Sequence, residues 1–150
     1  MKRADFLRAK FFIFADVERE IQLAKTNRNT LGPLGINPGG GNFLAALGLF
    51  CYTEFGGWLR FGYKNGKGQD ISSKNFNDFF EWVGADYAKF RGAHDVYKVF
   101  RCGLAHEYYV KKTCINYMVA KRGRPDIWQT SGGRYKISVE AYCRDLKVAF

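Results

Sequence analysis

The segment from Phe43 to about Phe61 constrains the fold more than any other part of the chain. Phe43, Leu44, Leu47, Phe50, Cys51, Phe55, Trp58 and Leu59 fall on several sides of a helix rather than along one stripe. Such a helix is expected at the centre of a helical assembly, covered on several sides. Ala45, Ala46, Gly48, Gly56 and Gly57 lack bulk and permit close helix approach, within the chain or across a dimer. Glu54 stands amid this surface, where it could pair with an arginine.

The flanking segments supply the cover. Asp5 to about Lys25 has helical period, with Phe6, Phe14, Val17, Ile21 and Ala24 on one stripe. Residues 31–42 are rich in Gly and Pro and must form a loop. A Gly run before a helix can present N–H groups to a phosphate, but no G-x-x-x-x-G-K-[ST] accompanies this one. The preferred reading is a tight connection with Asn42 as N-cap. Gly62 to Gln69 is an exposed basic turn. Ser72-Ser73-Lys74-Asn75 offers N-caps for a helix through Phe76, Phe79, Phe80, Trp82 and Val83, ended by Gly84. Asp86 can cap a fourth helix running to about Ala105, with Phe90, Ala93, Tyr97, Phe100 and Leu104 inward. A second stripe on that helix is polar and basic: Arg91, His94, Lys98 and Arg101.

After Tyr109 the pattern changes to short β-prone runs, Ile115 to Ala120 and Arg134 to Val139, separated by turn chemistry. They predict a small antiparallel hairpin at about 113–138 with a basic tip. Val139, Tyr142, Cys143, Leu146 and Phe150 then share helical spacing. The expected fold is mainly α: one domain over residues 1–150, a four- to five-helix bundle with a small β-hairpin near the C-terminus.

Charge narrows the function classes. The chain carries 24 Lys plus Arg against 14 Asp plus Glu, a formal net charge of +10. That balance favours a polyanion, and RNA is the commonest in the cytosol. No apolar run approaches the roughly 20 residues that span a bilayer. The first residues lack the apolar region of a secretory signal. A cytoplasmic protein with no membrane partner is expected. Four cysteines without a C-x-x-C pair, and only two histidines, point to no metal, no cofactor and reduced, mostly buried thiols.

One stretch reads as a reaction centre. Arg101-x-x-x-x-His106-x-Tyr108 resembles the R-x4-H motif of the HEPN superfamily, in the R-x4-H-x-Y form of its toxin-type members. The resemblance implies a helical bundle, commonly a homodimer with the site at or near its interface. It further implies a metal-independent endoribonuclease of toxin–antitoxin or anti-phage defence systems. By carry-over Arg101 and His106 are the catalytic residues. Tyr108 is a phosphate or base contact, or the site at which a partner antitoxin attaches a nucleotide.

The chemistry is sound on its own terms. Metal-free RNA cleavage needs one group to take a proton from the 2′-OH and another to return one to the leaving 5′-oxygen. Histidine suits either task near neutral pH, and arginine's planar donors match a phosphate. Along a helix, however, five residues turn about 140° and rise about 7.5 Å. Arg101 and His106 therefore need a broken helix or a second subunit to meet. Arg91, His94, Lys98, Lys111, Lys112, Arg122 and Arg124 form the expected nucleic-acid-binding surface, with Tyr109, Tyr117, Trp128 and Tyr135 available to stack bases. The other reading is a non-catalytic HEPN-like module that binds RNA or a partner protein.

Overall fold

The first amphipathic segment becomes α1 (Arg3–Lys25), which buries Phe14, Val17 and Ile21 and leaves Ala24 exposed. The computed structural model describes residues 3–37, 41–104, 115–120 and 126–150; side chains are described from Asp5 onward and, in the segment that starts at residue 115, from Tyr117. Asn27 then caps a short α2 (Arg28–Leu31), its side chain accepting the Asn29 N–H at 2.9 Å. A 3-10 turn over Gly32–Leu34 follows.

The central helix α3 (Asn42–Arg60) begins at the residue expected to cap it, one position earlier than expected. Gly41, at φ 71°, occupies the cap position, and Asn42 lies inside the helix. A left-handed residue turns the chain sharply here, which glycine does without a Cβ penalty. α4 (Ser72–Val83) packs across α3 at Gly56 and Gly57. A Cβ on Gly57 would sit 1.9 Å from the Asn75 carbonyl oxygen, so only glycine permits this approach. The caps expected at the start of α4 do not form: Ile71 occupies that position without a side-chain bond. Asn75 is instead buried, accepting the Tyr63 N–H at 3.0 Å and donating to the Tyr63 carbonyl at 3.4 Å. Asp86 lies in the first turn of α5 (Ala85–Ala93), whose cap position is Gly84.

The expected single helix from Asp86 to Ala105 is broken. The chain leaves α5 at His94, which is fully extended (φ −143°, ψ 144°), and re-enters as a π-helical turn over Tyr97–Cys102. Asp95 explains the restart, because its Oδ1 accepts the Lys98 N–H at 3.3 Å and its carbonyl accepts the Val99 N–H. Asn77 of α4 braces the break, accepting the Tyr97 N–H at 3.1 Å and donating to Asp95. Phe90, Phe100 and Leu104 of the expected inner stripe are buried, while Ala93 is exposed.

The antiparallel hairpin near the C-terminus is present, with different arms. β2 (Ile127–Gln129) pairs antiparallel with β3 (Tyr135–Ser138) around a Thr130–Gly133 turn. β1 (Ile115–Tyr117), expected as one arm, pairs parallel with β3 on its other side, giving the order β1-β3-β2. Ser138 ends β3 and caps the final helix α6 (Val139–Ala149), its Oγ accepting the Ala141 N–H at 3.2 Å.

α3, α4, α6 and the π-turn enclose an aromatic core of Phe50, Phe76, Phe80, Phe100 and Tyr142. Thr53 donates its hydroxyl proton to the Leu49 carbonyl, so Tyr142 must donate to Thr53 in the 2.5 Å bond between them. Both buried hydroxyls are thereby satisfied.

One expectation for α3 fails. Leu44, Gly48, Cys51, Phe55 and Trp58 recur at helical spacing on a face that nothing covers fully; Leu44 is 64% and Trp58 41% exposed. A Cβ on Gly48 would meet nothing within 4 Å. Thiol burial is also less than expected: Cys51 is exposed, Cys102 half-buried and only Cys143 buried among the described cysteines. No helix of the described residues is long and apolar enough to cross a membrane.

Candidate functional site

Arg101 sits on the π-helical turn, a local widening of helix that often marks functional positions. Its Nε donates to Glu54 Oε2 at 3.0 Å, with both side chains less than a quarter exposed. Glu54 thus finds the arginine partner its position suggested. Desolvation works against the charge on Arg101. Cys51, Glu54 and Tyr97 outweigh it and hold the guanidinium above its ordinary pKa. Glu54 uses only Nε, and the terminal amino groups make no other hydrogen bond among the described residues. A guanidinium's planar donors match phosphate oxygens in geometry.

Cys51 and Tyr97 join this group. Cys51 lies one helical turn before Glu54, and Tyr97 one turn before Arg101 on the π-turn. Desolvation is the main cause raising the Tyr97 phenol above its usual pKa, and the Glu54 carboxylate adds to it. Sequence reasoning did not single out Cys51 or Tyr97 for this site. The available signal was spacing, since both precede a recognised member by one helical turn.

The polar stripe Arg91, His94, Lys98 and Arg101 does not form one face, because the helix that would carry it breaks at His94. Arg91 turns to Glu81 at 3.8 Å, its Nε buried without a hydrogen bond. His94 packs against Phe90, ring centroids 4.6 Å apart, and its Nδ1 lies 3.1 Å from the Tyr135 hydroxyl. Lys98 is exposed. His106, Tyr108, Lys111, Lys112, Arg122 and Arg124 lie outside the described residues.

The aromatic residues expected to stack bases divide between the two faces of the sheet. Tyr135 is buried against Phe90 and His94, so it is a core residue and not a platform. Tyr117 and Trp128 stack on the other face, centroids 5.8 Å apart at 11°, with the Lys136 ammonium over both rings. Tyr109 is outside the described residues. Among the described residues no group of three His, Cys, Asp or Glu side chains could hold a metal ion. Compared with known proteins, the chain matches no family model, no curated protein and no solved structure.

Proposed function

We propose that the chain is a metal-independent endoribonuclease of HEPN type, of the toxin or anti-phage defence class, acting in the cytoplasm as a homodimer. The observation that carries this reading is the setting of Arg101. It is held by Glu54 through one nitrogen, its terminal donors make no hydrogen bond among the described residues, and it borders the exposed apolar face of α3 five residues before His106. A second copy on that face, related by a two-fold axis, would bring two Arg101 and two His106 into one cleft. One His106 takes the proton of the RNA 2′-OH as its oxygen attacks the adjacent phosphorus. The P–O5′ bond then breaks, and the second copy's His106 returns a proton to the leaving 5′-oxygen. Arg101 meets the charge that grows on the phosphoryl oxygens. The remaining basic residues, Lys98, Lys111, Lys112, Arg122 and Arg124 among them, hold the RNA backbone, and Tyr108 is the contact an antitoxin would modify.

The test is cleavage of unpaired RNA in EDTA by the unmutated protein, His106→Ala and Arg101→Ala. Loss of cleavage in both variants, with a 2′,3′-cyclic phosphate among the wild-type products, is the expected result. Equal cutting by all three, or none by any, overturns it. The Arg101–Glu54 ion pair favours one other reading, a non-catalytic module that binds RNA or a partner, since it offsets the charge of the phosphate clamp. Salt-sensitive RNA binding that survives His106→Ala, without cleavage, would establish that reading instead.

A further inference from the structure

α5 and the edge strand β2 enclose a cleft of about 330 Å³. β2 is the outer strand of its sheet, so one of its edges lacks a strand partner. The bonds from Thr130 N–H to the Arg134 carbonyl and from Ser138 N–H to the Asp126 carbonyl fix the register with β3. Even-numbered residues of this stretch therefore face β3. The peptide groups of Ile127 and Gln129 turn outward to the cleft, offering donors and acceptors in a fixed row. Trp128 borders the same cleft, held by Tyr117 stacked upon it. α5 contributes Lys89, which is exposed and makes no ion pair among the described residues, and His94, held by Tyr135 and Phe90.

We propose that this cleft binds a nucleotide, an unpaired base together with its phosphate. The base stacks on Trp128, its edge meets the outward peptide groups of β2, and the phosphate lies at Lys89. Three features that a nucleotide needs, an aromatic platform, a directional polar edge and a cation, converge here. The volume lies at the lower end of the roughly 300–1,000 Å³ typical of ligand pockets, which suits one nucleotide and not two. The inference deepens the RNA reading above and rests on it only for the source of the nucleotide, since a free nucleotide carries the same chemistry.

The full-length protein, labelled with 15N, is titrated with each of the four nucleoside monophosphates and separately with a short unpaired RNA. The Trp128 indole N–H signal, identified by its loss in Trp128→Phe, should move saturably while those of Trp58 and Trp82 stay. Lys89→Ala should weaken a monophosphate by about fivefold and leave the matching nucleoside unchanged. Ala93 is exposed and lines the cleft, so Ala93→Phe should fill the space and abolish the shift while the other signals keep their positions. Movement with monophosphates but not RNA keeps the cleft and assigns it to free nucleotides. Movement with RNA, in a protein that cuts none, keeps the cleft and removes the ribonuclease reading. No movement with any of these ligands, or unchanged binding in Ala93→Phe, overturns the proposal.

Discussion

The two faces of α3 follow opposite rules. On one, Ala45, Leu49, Phe50, Thr53, Gly56 and Gly57 are buried, glycine lies against backbone, and the one hydroxyl is bonded. At about 100° per residue, Leu44, Gly48, Cys51, Phe55 and Trp58 cluster on the opposite side. That side keeps large apolar surface in water and leaves Gly48 with nothing near it. Composition barely separates the faces, since both mix large apolar and small residues. What separates them is how fully the other described elements cover each face, since on the open side α1 meets Phe55, through Phe6, and Leu44 and Trp58 stay exposed. The buried face accounts for the fold, and the open one is where a partner would be accommodated.

If this contrast is right, substitutions on the buried face should unfold the protein and those on the open face should not. The largest effect is expected from Phe50→Ala. Phe50 is fully buried and touches the rings of Phe76, Phe100 and Tyr142, so its removal should cost about 3–5 kcal/mol. Urea unfolding measures this directly, and a loss below about 1 kcal/mol would mean the core collapses around the gap. Gly57→Ala comes next. The added methyl would meet a main-chain carbonyl that cannot rotate away, so α3 and α4 must separate, and about 3 kcal/mol should be lost. Gly48→Ala is the control on the open face. It should stabilise slightly, because alanine is the better helix former by about 1 kcal/mol.

Much of the fold was legible in the chain because it is written locally. Phe14, Val17 and Ile21 in α1, the apolar run of α4 ended by Gly84, and the Val139 to Leu146 spacing of α6 each carry their period within one element. The three-residue strand Ile127–Gln129 is too short for a period to register, and the parallel pairing of Ile115–Tyr117 with β3 depends on residues far along the chain. The open face of α3 was misread for a related reason. Periodicity reports which residues prefer burial, not how many helices exist to bury them. For the candidate site, Glu54 and Arg101 were each legible, and their meeting required the tertiary fold.

The break before the π-turn was missed although its signal is local. Asp95, a strong N-cap residue three positions after Gly92, sits inside what reads as an uninterrupted amphipathic run, and the apolar spacing on either side masks it. Asp95→Ala should cost about 1 kcal/mol, the usual worth of an N-cap, by removing the acceptor for the Lys98 N–H and the partner of Asn77. The same variant should disturb the Arg101 region more than the rest of the protein, seen as faster amide exchange over residues 97–102. Uniform exchange changes would mean the π-turn is held by packing of Val96, Val99 and Phe100 and not by its cap.

The smallest effect on stability should carry the most information about function. Leu44 is largely exposed, so Leu44→Asp should change the unfolding free energy by no more than about 0.5 kcal/mol. If a second copy covers the α3 face, the same substitution buries a carboxylate without a partner and should shift the sedimenting species from dimer to monomer. Cys51 gives an independent reading of that face. It is exposed in one copy, whereas Cys143 is buried and its thiol is pushed up to about 11, mainly by desolvation. A thiol reagent should therefore modify Cys51 well before Cys143 in a monomer, and slowly in a dimer that covers it. Fast labelling of Cys51 at concentrations where the protein sediments as a dimer would place the dimer contact elsewhere. Under the proposed reading, Arg101, at the border of this face, would then have to act within a single chain.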